Sequence, residues 1–148
     1  MTGLERLMAA ELNLRAIGPA SPDTAWCRYL RFGLWPGWSP YILGVETPGD
    51  RIAPGARGTV RGPLGVRARF VIDSVDEERR SWTWRVRCGP LRMRLTHDVL
   101  PHTDGGRTGA EAGTGTGTET RLRLRGPAPV LAAYAPLARL ALGRLVRA

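Results

Sequence analysis

Apolar and polar residues alternate with period two through most of the stretch from Thr59 to Arg125. Arg67 and Arg69 interleave with Val66, Ala68, Phe70 and Ile72, and Arg85 and Arg87 with Trp82, Trp84 and Val86. Arg92 and Arg94 interleave with Leu91, Met93 and Leu95, and Arg121, Arg123 and Arg125 with Leu122 and Leu124. Successive side chains of an extended chain point to opposite faces, so the pattern predicts an antiparallel sheet with one apolar face and one arginine face. Strands are expected at roughly 11–17, 42–46, 59–62, 65–74, 80–88, 91–100 and 117–125. Asp76-Glu77-Glu78 and Cys88-Gly89-Pro90 supply hairpin turns. A sheet with one apolar side needs a cover.

The period changes at the C-terminus. Leu131, Tyr134, Leu137, Ala138, Ala141, Leu142 and Leu145 recur at three and four, with Arg139, Arg144 and Arg147 available for a wetter side. This predicts one helix of four or five turns, kinked or restarted at Pro136, whose apolar stripe covers the sheet. After the first strand, Ser21 or Asp23 can cap a short helix running to about Leu30. Pro36, Gly37 and Pro40 break up the next segment, anchored by Trp35, Trp38 and Tyr41. Residues 48–58 read as a loop, and the glycine-rich 104–117 as a flexible connection. The fold class is therefore α+β, with about six or seven antiparallel strands wrapped around the terminal helix and two short helices after strand one.

With 148 residues the chain suits one domain, residues 1–148. Lys and Arg total 22, all of them arginine, and the formal charge is +9. Cys27 and Cys88 form no CxxC pattern; free thiols in a reducing, cytoplasmic setting are the expectation, with a single disulfide bridge as the alternative. Residues 1–10 do not read as a signal peptide, and no stretch reaches the length of a membrane span. Neither histidine has a spaced partner set of Cys, Asp or Glu, so no metal or other cofactor is expected.

Four segments together carry a family resemblance. Pro22–Leu30 follows strand one as a first helix. Trp35-Pro36-Gly37-Trp38-Ser39-Pro40-Tyr41 is similar to a W-x-x-W-x-P turn, and Ile52-Ala53-Pro54-Gly55-Ala56-Arg57-Gly58 to the loop before a third strand. The run Val71-Ile72-Asp73-Ser74-Val75-Asp76-Glu77-Glu78-Arg79-Arg80-Ser81-Trp82-Thr83-Trp84 is similar to a strand–turn–strand ending in W-x-W, with Glu77 and Glu78 where prolines are usual. The chain thus resembles the START-like (SRPBCC) superfamily of helix-grip proteins, which includes polyketide cyclases/dehydrases and lipid-transport proteins. The resemblance implies a cavity between sheet and terminal helix that takes a small hydrophobic, aromatic or polyketide-like molecule. Any enzyme of this kind would be a cofactor-independent cyclase or aromatase; a non-catalytic carrier or sensor has the same shape. By position, Phe70, Trp82, Trp84, Met93, Leu95, Leu122 and Leu137 would contact the ligand.

Three polar residues are candidates for chemistry. His97 continues the inward phase of Met93 and Leu95, and its near-neutral intrinsic pKa suits proton transfer. Tyr134 could present its hydroxyl from the helix. Arg15, if strand one turned that way, could hold a carboxylate or an enolate oxygen; Leu12 and Leu14 compete for the inner face. His102, beside Pro101, reads as a surface turn residue. The arginine face could meet an acidic protein partner. Nucleic acid is disfavoured, because no helix-turn-helix, zinc finger or aromatic RNA-binding strand accompanies the charge. Monomer and homodimer both remain open.

Overall fold

A computed structural model describes residues 9–103 and 117–148. The strands are β1 (Ala9–Gly18), β2 (Gly44–Glu46), β3 (Arg57–Arg61), β4 (Arg67–Asp76), β5 (Ser81–Cys88), β6 (Leu91–His102) and β7 (Gly117–Pro127). They form one 7-stranded sheet in the order β1-β7-β6-β5-β4-β3-β2, each pair antiparallel. Between β1 and β2 lie α1 (Pro22–Leu30), a 3-10 turn (Phe32–Leu34) and the single-turn helix α2 (Trp35–Trp38). The chain closes with α3 (Ala128–Leu145), around which the sheet wraps. The sheet, its terminal helix and the two short helices are the expected architecture. The connection expected at 104–117 lies outside the described residues except for Gly117, which opens β7.

Register converts the alternation into rows. Leu12, Leu124, Leu95, Trp84 and Ile72 stand opposite one another on successive strands, and beside them run Leu14, Leu122, His97, Trp82 and Val75. The inner face of β4 passes from Ile72 to Val75 because the register shifts between Ile72 and Ser74. One extra residue in a strand reverses which side chains face inward. Gly58 on β3 lies under Phe70: a Cβ there would come within 2.8 Å of the Phe70 ring, so the ring packs on bare backbone.

Some boundaries differ from expectation. A 3-10 turn at Pro63–Gly65 delays β4 to Arg67, and β6 continues through Pro101 to His102. Pairing with β5 ends at Asp98, so Pro101 sits where β6 has a free side and a missing N–H is tolerated. His102 is therefore a half-buried strand residue rather than a surface turn. The restart at Pro136 does not occur. α3 is continuous, with Ala132 and Pro136 both exposed, so water can take the carbonyl that Pro136 leaves unbonded.

Helix ends lock the layers together. Ser21 Oγ accepts from the Thr24 amide at the start of α1, with Pro22 as its first residue. The last carbonyls of α1 all find donors. Arg31 N serves Cys27, Trp38 Nε1 serves Arg28, Trp35 Nε1 serves Tyr29 and Ile52 N serves Leu30. Arg28 in turn donates from Nη1 to the carbonyls of Leu145 and Arg147, each at 2.7 Å, closing the end of α3 with a cation. The WPGW segment is thus a cap for α1 built from two indoles.

Candidate ligand cavity

Sheet and helix enclose two unlike regions. In one, Phe32, Trp35, Phe70, Trp82 and Trp84 pack with ring centroids 5.0–6.1 Å apart, mostly edge-on or tilted. Trp35 is fully buried at the centre of this plug. In the other, the space is not filled. A cavity of about 330 Å³ lies between α3 and strands β3 to β7, within the size range of small-molecule sites. It stays open where the helix face is small, at Ala138 and Ala141 among Tyr134, Leu137 and Leu142, and where Gly62 and Ala68 lie opposite. Val66 (50% exposed) and Leu137 (43% exposed) line it and also reach solvent, marking its mouth beside the Pro63–Gly65 turn.

His97 is on the cavity wall, 4% exposed and stacked on Trp82 with centroids 4.5 Å apart. Its two ring nitrogens are both committed. Trp84 Nε1–H can only donate, and it lies 2.9 Å from His97 Nε2, which must therefore accept. The other end of the chain forces the same tautomer. Thr120 Oγ1 donates to the Asp98 carbonyl at 3.0 Å and so accepts from the Tyr29 hydroxyl, also at 3.0 Å. Tyr29 Oη then accepts from His97 Nδ1–H at 3.1 Å. Every proton in this relay is assigned, and His97 is a neutral Nδ1–H imidazole. Burial pushes its pKa down to about 3 and pushes that of Tyr29 up. A histidine so held has neither a free lone pair nor a free proton for a ligand.

Tyr134 and Tyr41 form a second polar feature. Their hydroxyls are 2.6 Å apart and their rings meet edge to face on the cavity wall. Burial raises both pKa values, so both stay protonated across the physiological range. Two hydroxyls sharing one mutual hydrogen bond keep one further O–H, whichever is the donor, with the buried Ser39 Oγ beside Tyr41 as a competing partner within the protein.

Of the residues singled out from the sequence, His97, Tyr134, Trp84, Met93, Leu95, Leu122 and Leu137 all line the cavity. Phe70 and Trp82 do not. Both point inward but are taken up by the aromatic plug, because α2 drops Trp35 between them. Arg15 is on the opposite, solvent side of the sheet, facing Arg121 across the β1–β7 pair, while Leu14 occupies the inner phase. It cannot reach a ligand in the cavity. Tyr41 was legible only as an anchor of the WPGWSPY segment, and Tyr29 and Thr120 carried no signal at all. Their meeting depends on α1 crossing β6 and β7.

The outer face is as basic as the alternation predicts. Arg87 stands opposite both Arg69 and Arg92, and Arg94 opposite both Arg85 and Arg125. Arg67, Arg85, Arg121 and Arg123 have carboxylate partners in Glu46, Asp73, Glu119 and Glu11. Among the described residues, no carboxylate lies within ion-pair distance of Arg69, Arg87, Arg92, Arg94 or Arg125.

A sheet gripping a terminal helix, with an apolar cavity between them, defines the class of helix-grip ligand-binding folds. Residues 11–148 match the family described as polyketide cyclase / dehydrase and lipid transport, and the chain belongs to that family. No curated protein matches the sequence. A solved protein from Nitrosospira multiformis is similar in fold, with TM-score 0.71 over 93% of this chain and 94% of that one at 15% identity. No helix among the described residues is long and apolar enough to cross a membrane.

Proposed function

We propose that this protein holds a small hydrophobic molecule of aromatic or polyketide-like character in the cavity, as a carrier or sensor. The observation that carries this reading is an apolar cavity of about 330 Å³ whose one histidine is fully engaged in structure. A general base near neutral pH needs an accessible lone pair and a pKa close to the working pH. His97 offers neither. Native mass spectrometry of protein purified from its own host tests the reading: a hydrophobic small molecule should co-purify, or added apolar aromatics should bind and quench the tryptophans. A protein that carries nothing and takes up no apolar aromatic would refute it.

Cyclisation or dehydration of a bound poly-β-ketone is the second reading, favoured by the spare hydroxyl of the Tyr41–Tyr134 pair. Catalysis would then come mainly from folding the chain into a reactive geometry, with the tyrosine polarising a carbonyl. On this reading Tyr134→Phe lowers kcat more than it raises KM, while on the carrier reading no turnover is found in either protein. The facing arginine rows favour an additional role for the outer face, docking an acidic protein segment. Binding of a poly-glutamate peptide that weakens steeply with salt would support it, and no binding at low salt would remove it.

A further inference from the structure

We infer that the cavity selects a neutral ligand bearing a hydrogen-bond-accepting oxygen, such as a ketone, ester or alcohol on an apolar skeleton, and rejects ionised carboxylates. The inference rests on the ligand-binding reading above and narrows it to a chemical class. It follows from accounting for every polar side chain on the cavity wall. None of the lining residues is Arg, Asp or Glu, so the wall offers no counter-charge. Trp38 Nε1 is spent on the Arg28 carbonyl, Trp84 Nε1 on His97, and both nitrogens of His97 are spent as described. Cys88, at the exposed end of β5, contributes only a weak thiol donor. What remains is the one O–H that Tyr41 and Tyr134 do not use between them.

A single neutral donor can satisfy one acceptor oxygen and cannot compensate an ion. An ionised group taken from water into such a site loses its hydration and gains no partner, which is among the costliest events in recognition. Arginines lie outside the wall, so a carboxylate can meet them only by leaving its head in the mouth. The apolar skeleton would then forfeit much of the enclosed space. Losing only the acceptor, by contrast, leaves one neutral O–H unpaired, a far smaller cost than stranding an ion, so a pure hydrocarbon is penalised mildly.

Three probes of matched size separate these effects at pH 7: 2-acetylnaphthalene, 2-ethylnaphthalene and 2-naphthoate, titrated by tryptophan quenching. The ketone should bind about 10-fold more tightly than the hydrocarbon. The carboxylate should bind at least about 100-fold more weakly than the ketone. Combining Tyr41→Phe with Tyr134→Phe should abolish the ketone's advantage without weakening hydrocarbon binding, and retained hydrocarbon binding also reports that the variant is folded. Naphthoate binding as tightly as the ketone would overturn the inference while leaving the ligand-binding reading intact. So would a ketone preference that survives the double substitution. The ratio of ketone to carboxylate in the unaltered protein decides the matter even if the variant does not fold. If none of the three binds, the ligand-binding reading fails and takes this inference with it.

Discussion

The aromatic plug and the cavity occupy neighbouring parts of the same interlayer space, and they differ in what the helices bring to the sheet. α2 delivers Trp35 into the plug, where it meets Phe32, Phe70, Trp82 and Trp84. α3 brings Tyr134, Leu137 and Leu142 to the cavity wall but leaves gaps between them at Ala138 and Ala141. The sheet is apolar under both. A void is therefore not a failure of packing spread through the core but a local consequence of small residues on one helix. Its cost is offset by dense aromatic packing next door, where each aromatic pair adds roughly 0.5–1.5 kcal/mol beyond simple burial.

Substitutions should separate the two regions sharply. Trp35→Ala removes the centre of the plug and should cost about 3–5 kcal/mol in chemical denaturation. Leu137→Ala at the cavity mouth should cost less than about 1 kcal/mol. Equal losses at the two sites would mean that the plug is not where stability is concentrated.

His97, on the border between the regions, should make stability depend on pH. Its folded pKa, about 3, lies below the roughly 6.5 of an unfolded histidine. The unfolded chain therefore binds the proton first. The stabilisation is complete above about pH 6.5 and is lost as pH falls toward 3, a change of up to about 5 kcal/mol. His97→Gln should flatten that part of the pH–stability profile. An unchanged slope in the variant would show that His97 titrates freely and that its hydrogen bonds do not hold.

Along α3, two alanines a single turn apart should respond in opposite ways. Ala138→Leu fills existing space, so apolar probe binding should weaken more than about 10-fold while stability shifts by less than about 1.5 kcal/mol. Ala135→Leu, buried but outside the cavity, should overpack and cost about 1–3 kcal/mol with less effect on binding. If both variants keep full probe affinity, the ligand is not bound against α3. The smallest effect is expected on the far side of the sheet. Arg87→Glu relieves repulsion from Arg69 and Arg92 and should stabilise by about 0.5 kcal/mol at low salt, fading in high salt.

Much of this arrangement can be read along the chain because a strand's two faces are written in alternate residues. The phase of Met93 and Leu95 carries His97 inward, and the turn chemistry at Cys88-Gly89-Pro90 ends β5 where expected. The phase of β1 was harder, since Asn13 and Arg15 alternate as regularly as Leu12 and Leu14. Pairing with the arginine side of β7 resolves it against Arg15. Phe70 and Trp82 show the other kind of difficulty. Their face was legible, but whether an inward ring touches ligand or another ring depends on a segment far away in sequence.

Local order along the chain determined the strands, their greasy and basic sides, and the terminal amphipathic helix, because these follow from periods of two and 3.6 in neighbouring residues. Only tertiary structure decided that His97 is locked by Trp84 and Tyr29, that Tyr41 meets Tyr134, and that empty space survives beside Ala138. Those outcomes depend on side-chain volumes and donor–acceptor matches between elements up to 93 positions apart, which no periodicity records.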